Sequence, residues 1–139
     1  MIKLTAEHEP IAKKRHRHGK HGGYDAQFKE KNRLKWLFGA QMRENGFKRF
    51  SRSPLHVAVH TYCSLPKTLS QVKKKALEGQ FKTTKPDADN YFKFYTDVLN
   101  GIAYEDDNLI ASMTCEKRYS CIPRVEIFIK SLEDKDDKA

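Results

Sequence analysis

Residues 85–107 read KPDADNYFKFYTDVLNGIAYEDD, and the arrangement of acids within them decides how the rest of the chain is organised. Pro86 holds the residue before it extended, and Asp87 and Asp89, two apart in such backbone, project to one side. Asn90, or Asp89 itself, can cap a helix running from Tyr91 to Leu99. Asn100-Gly101, a pair suited to the left-handed conformation, stops it. Lys93 follows Asp89 by one turn. A further acidic group, Glu105-Asp106-Asp107, comes after the stop and before a strand-like run that begins at Leu109. The helix carries the chain away by roughly 15 Å, and the segment from Gly101 to Asp107 can span up to about 23 Å. The three acidic positions can therefore meet.

Carboxylates that lie close together repel, and they stay ionised side by side chiefly when a cation or a donor sits between them. A donor set made of oxygens alone favours a hard ion such as Mg²⁺ or Mn²⁺. A lysine on the same helical face can then stabilise the extra negative charge of a phosphoryl transition state. Together these parts read as phosphodiester hydrolysis. Plainer readings stay open beside it: D-x-D-N as a helix cap, and E-D-D as a solvated turn. A calcium-binding EF-hand is excluded, because Tyr91 and Phe92 stand where that loop needs an oxygen ligand and a glycine.

The chain of 139 residues is long enough for one domain, expected to span residues 1–139, and short for two active sites. A hydrophobic content of 38 % with 11 % aromatics supports a packed core. No run approaches the ~20 apolar residues of a membrane span, and Met1 to Pro10 lacks the apolar stretch of a secretory signal. Cys63, Cys115 and Cys121 are odd in number and lack C-x-x-C spacing, so reduced thiols in a cytoplasmic protein are expected. The net charge of +9 is polarised: residues 1–85 carry 20 Lys and Arg against 6 Asp and Glu, whereas residues 86–139 carry 7 against 12. A basic half attracts a polyanion, and without a strongly amphipathic basic helix the better partner is nucleic acid rather than a membrane surface.

Along the chain, residues 1–24 read as a basic strand and hairpin arm. Ile2 and Leu4 begin a short strand, Lys13, Lys14, Arg15 and Arg17 are suited to phosphate contacts, and His21-Gly22-Gly23-Tyr24 suggests the hairpin tip. From Asp25 to Asn45-Gly46 the spacing of Leu34, Leu37, Phe38 and Met42 predicts a helix. Trp36 lies off that stripe, with partial burial expected and a subunit contact or a base-stacking platform as alternatives. Leu55 to Tyr62 alternates as a strand with His56, Ala58, His60 and Tyr62 on its less buried face. Residues 64–85 form a lysine-rich loop with room for a brief helix over Lys73 to Leu77, expected to clamp DNA through Lys73, Lys74, Lys75 and Lys85. Leu109 to Lys117 and Arg124 to Lys130 resemble an antiparallel pair, and residues 131–139 are expected to fray.

Four blocks, KPDADNYFK, TDVLNG, YEDDNLI and EKRY, resemble in order and spacing the RusA-type Holliday junction resolvases, especially their phage and prophage branch. The likeness reaches back to PIAKKRHR and SLPKTLSQVKKKALEG and covers roughly residues 8 to 130; Ala88 and Tyr91 stand where the family usually has leucine. The resemblance implies a homodimeric, Mg²⁺-dependent endonuclease, with Mn²⁺ able to substitute, that places paired nicks in four-way junction DNA during recombination and repair. It implies Asp87, Asp89 and Asp107 as metal-binding carboxylates, with Asp106 as a supporting acid, and Lys93 as the catalytic lysine. No organic cofactor is expected. The fold expected is α+β, a small mixed sheet of about four strands with two main helices on one side. The alternatives are a metal-dependent nuclease acting on other branched DNA or structured RNA, and a non-catalytic DNA-binding module.

Overall fold

The computed structural model describes residues 1–14, 17–19, 22–24 and 27–136. Its centre is a four-stranded sheet built from β1 (Ile2–Ala6), β4 (Leu55–Cys63), β5 (Ile110–Tyr119) and β6 (Arg124–Ser131), in the order β1-β6-β4-β5. Two short strands, β2 (Arg17–Gly19) and β3 (Gly22–Tyr24), form a separate antiparallel hairpin. The helices are α1 (Phe28–Glu44), α2 (Gln71–Leu77) and α3 (Ala88–Val98). Alternation explains the sheet. Ile2, Leu4 and Ala6 on β1, Leu55, Val57, Val59 and Thr61 on β4, and Val125, Ile127 and Ile129 on β6 all point to one face and are buried. Onto that face pack α1 through Leu34, Phe38 and Met42, and α3 through Phe94, Tyr95 and Val98, in a single cluster. Each fully buried aromatic or branched side chain there contributes about 1.5–3 kcal/mol of transfer free energy.

The α+β class and the mixed four-stranded sheet are as expected, but the strand partners are not. β5 and β6 do not pair. β4 lies between them, parallel to β5 and antiparallel to β6. Parallel pairing requires a crossover, and α2, the loop after it and α3 supply one. Residues 120–123 then step across the end of β4, where the Ser120 N–H bonds the Cys63 carbonyl (2.8 Å). The glycines suggested as the hairpin tip stand on β3, paired to β2.

Both outer sheet edges are engaged over part of their length. Along β1, the Gln41 amide accepts from the Thr5 N–H (2.9 Å) and donates to the Thr5 carbonyl (2.6 Å). Along β5, residues 79–82 run beside the strand: the Tyr119 N–H bonds the Gln80 carbonyl and the Lys82 N–H the Lys117 carbonyl, both at 2.9 Å. The lysine-rich segment is thus anchored at its C-terminal part, with Phe81 under the Arg118 guanidinium at 3.9 Å.

Several boundaries also move. α1 starts at Phe28 behind Gln27, not at Asp25, which lies outside the described residues. Trp36 is 75 % exposed rather than partly buried. The expected fraying does not hold for the tail through Asp136, whose carboxylate accepts from the N–H groups of Ser51, Arg52 and Ser53 and from the Ser51 hydroxyl; residues 137–139 lie outside the described residues. Burial opposes ionisation of Asp136, yet the bonds from Ser53 and Ser51 outweigh it and hold the carboxyl well below its usual range. Among the described residues no helix is long and apolar enough to cross a membrane.

Candidate active site

The start of α3 is braced from three directions. From β5, Lys117 extends its ammonium to the carbonyls of Thr84 and Pro86, both at 2.8 Å, and the Cys115 thiol donates to the Ala88 carbonyl at 2.8 Å. From the preceding loop, the Lys82 ammonium reaches the Lys85 carbonyl (2.6 Å) and the Thr84 hydroxyl (2.9 Å). From the N-terminal segment, the Lys13 N–H bonds the Asn90 carbonyl (2.9 Å), and the Ile11 N–H donates to the Tyr95 hydroxyl (2.9 Å). Gln27 ties that segment to α1, accepting from the Lys14 N–H and donating to the Ala12 carbonyl. His8 contacts the Tyr95 hydroxyl at 3.2 Å, and burial, aided by Arg33, lowers its basicity.

Two carboxylates are presented by this braced turn. The helix begins at Ala88, three residues earlier than the sequence suggests, so Asp87 rather than Asn90 or Asp89 holds the cap position. The Asp87 side chain makes no cap hydrogen bond and is exposed, and Asp89 lies in the first turn. Lys93 stands one turn on, its ammonium 3.5 Å from Asp89 Oδ2. Both side chains are more than half exposed, so the pair adds little to stability and stays available for other chemistry. The positive end of the helix dipole favours anions here. Lys13 and Lys14 are exposed on the segment that crosses at Asn90, and with Pro86 they line one cavity next to the helix start.

Asp107 is elsewhere in the chain. Its N–H bonds Asn100 Oδ1 at 2.7 Å, just beyond the C-terminal end of α3. From Ala88 to Asn100 the helix and its stop rise about 18 Å at 1.5 Å per residue, which separates Asp107 from Asp87 and Asp89 within one copy. The chain has the reach to return but does not. The Gly101 N–H bonds the Tyr104 carbonyl (2.7 Å), the Phe50 N–H the Ala103 carbonyl (3.0 Å), and the buried Tyr104 hydroxyl donates to the Thr96 carbonyl (2.6 Å). Those bonds fold residues 101–106 under the helix end, and the chain goes back only as β5. Among the described residues no three His, Cys, Asp or Glu are grouped so as to hold a metal ion.

The C-terminal end of α3 carries its own acids. Burial and a hydrogen bond with Asp106 push the Asp107 carboxyl up, the charges of Asp106 and Asp97 add to this, and the bond with Asn100 opposes it. Asp106 also accepts from the Asn108 N–H at 3.4 Å. Asp97 is neutralised by Lys31 at 2.7 Å. Acids at a helix C-terminus face the negative end of the dipole, an arrangement that a bound cation relieves.

The expected DNA contacts divide similarly. Lys73, Lys74 and Lys75 lie on α2, which Ser70 caps and which buries no residue. Lys85 is exposed at the approach to Asp87. Arg15 and the side chain of Arg17 lie outside the described residues. Sequence reasoning missed Gln27, Lys82 and Lys117 as positioning residues. Lys117 stood out only as part of the EKRY block and Lys82 only as part of the lysine-rich segment.

A mixed sheet with one helical layer, an acid pair on a braced helix start and a basic flank together define a small α+β protein with an acidic site set among cations. More particularly, the chain belongs to the RusA endodeoxyribonuclease family: the family model described as "Endodeoxyribonuclease RusA" matches residues 7–130. It is also similar to the uncharacterized protein YqaN of Bacillus subtilis (strain 168), 36 % identical over 140 residues that cover 94 % of this chain and 96 % of that one.

Proposed function

We propose that the chain is a homodimeric, divalent-metal-dependent endodeoxyribonuclease that resolves four-way DNA junctions by paired symmetric nicks in recombination and repair. The observation that carries this reading is the placement of Asp87, Asp89 and Lys93 on a rigidly held helix start beside Lys13 and Lys14, in a chain of this family.

The residues fit a hard cation in kind but only half in place. Asp87, Asp89 and Asp107 are oxygen donors suited to Mg²⁺ or Mn²⁺, yet one copy keeps Asp107 a helix length from the other two. A second copy related by a two-fold axis, with its α3 running antiparallel to the first, supplies Asp107 to the acid pair opposite and completes two sites at once. Two sites are also what a two-fold symmetric junction requires for paired cuts. When bound, the metal supplies Lewis-acid neutralisation at the scissile phosphate. Lys93 stabilises the charge that develops there, and Lys13, Lys14 and the N–H groups opening α3 hold neighbouring phosphates.

Labelled mobile junctions, flaps and linear duplex, each incubated with the protein in Mg²⁺ or in EDTA, test the proposal. Symmetric nicks in two opposed strands of the junction, absent in EDTA, are expected; preferential cutting of flaps or of structured RNA would move the assignment to another branched substrate. Replacing Lys73, Lys74 and Lys75 together with alanine is expected to weaken junction binding and to lower the slope of log affinity against log salt by up to about three. If affinity and slope both hold, α2 does not touch the backbone.

A further inference from the structure

We propose that one stripe of α1 is a stacking platform for unpaired nucleobases, separate from the acid pair on α3. The inference rests on the reading that this chain binds DNA and adds a second contact, for single-stranded arms. Phe28, Asn32, Lys35, Trp36, Gly39 and Arg43 fall within an arc of about 100° on the helix. Trp36 is 75 % and Phe28 63 % exposed, and the two aromatics are separated by a rise of about 12 Å. Asn32, Lys35, Trp36 and Arg43 line a shallow cavity of about 210 Å³. Gly39 keeps the stripe low, and a Cβ there would meet Arg43 Nη1 at 3.5 Å, so the guanidinium already lies over the glycine.

Charge selects the occupant. Neither Lys35 nor Arg43 has a carboxylate partner among the described residues. An exposed indole costs hydration, and two uncompensated cations beside it repel a basic partner. A single strand answers both features, because its bases offer π faces to the ring and its phosphates offer charge to Lys35 and Arg43. A second copy of this chain is basic in net charge, and the acids at the two ends of its α3 are engaged by the paired sites proposed above, so it answers them less well.

Trp36 is the one tryptophan in the chain, so tryptophan emission reports this stripe alone. Titration with oligothymidine in EDTA is expected to quench that emission and to shield the ring from iodide. Trp36→Ala should weaken oligothymidine binding about 5- to 150-fold, the range for one stacked base, while Trp36→Phe keeps most of it. Lys35→Gln with Arg43→Gln should lower the salt slope on single strands by about 1.4. Emission that stays constant as the oligonucleotide binds overturns the proposal, as does unchanged affinity in Trp36→Ala. Emission that shifts with protein concentration in the absence of DNA also overturns it and assigns the stripe to contact between copies. Because EDTA removes cleavage from the readout, a protein that stacks bases but never cuts refutes only the nuclease reading. One that cuts junctions while Trp36 stays bare refutes only this one.

Discussion

Chains carrying Asp89→Asn and chains carrying Asp107→Asn, each inactive alone, are expected to regain nicking when unfolded and refolded together. The expectation follows from where α3 places its acids. Asp87 and Asp89 open the helix, and Asp107 hangs from Asn100 at its far end, roughly 18 Å along the axis. If each site takes its acid pair from one copy and Asp107 from the other, a mixed dimer holds one site damaged twice and one site intact. Random pairing makes about half the dimers mixed. Activity should return as single nicks rather than paired ones, to about a quarter of the sites present in unmodified protein. Sites built within one copy give a different result, because every site in the mixture then carries a substitution. No recovery, from two variants that each still bind junctions, would end the case for shared sites.

Asp89→Asn in the whole population is expected to reduce junction nicking by on the order of 10³ or more, since groups that act as a unit fail together. Binding in EDTA should hold or tighten, because a carboxylate that repels phosphate has gone. Asp89 is a suitable target on structural grounds: it is more than half exposed, its ion pair with Lys93 is a surface one, and asparagine fits the first turn of a helix. Nicking rate and affinity measured on the same preparation decide the matter. A variant that cuts normally removes Asp89 from the chemistry. One that melts early or loses DNA altogether marks the acids as structural, which is the behaviour of a non-catalytic binding module.

Much of this arrangement was legible because its causes are local. The α3 pattern and its stop at Asn100-Gly101 depend on spacing and one left-handed glycine, Gly101 at φ +79°, and they stand within a few residues of where the sequence puts them. Alternation likewise identifies β1, β4 and β6. What failed was inference about contacts distant in sequence. Reach alone allowed Asp107 to approach Asp89, but Tyr104 and Phe50 fix the intervening loop under the helix end through bonds to residues not visible as a pattern. The apparent β5–β6 hairpin is separated by a strand from far upstream, Leu55–Cys63, and nothing in the two segments themselves signals β4 between them. Lys117 and Gln27 act on backbone carbonyls and N–H groups, which are the same in every sequence. Trp36 resisted prediction because a helix stripe tells which residues can be buried, not whether a partner element covers them.

The amide of Gln41 against Thr5 has a consequence for how copies of this molecule can associate. With Thr5 engaged on that margin and residues 79–82 lying along the last residues of β5 on the opposite one, each edge is interrupted where a strand from a neighbour would have to pair in register, which hinders the usual route to open-ended polymerisation. Two copies that meet through helices, or through the sheet surface bearing His56 and His60, close on themselves when the same patch serves on both sides.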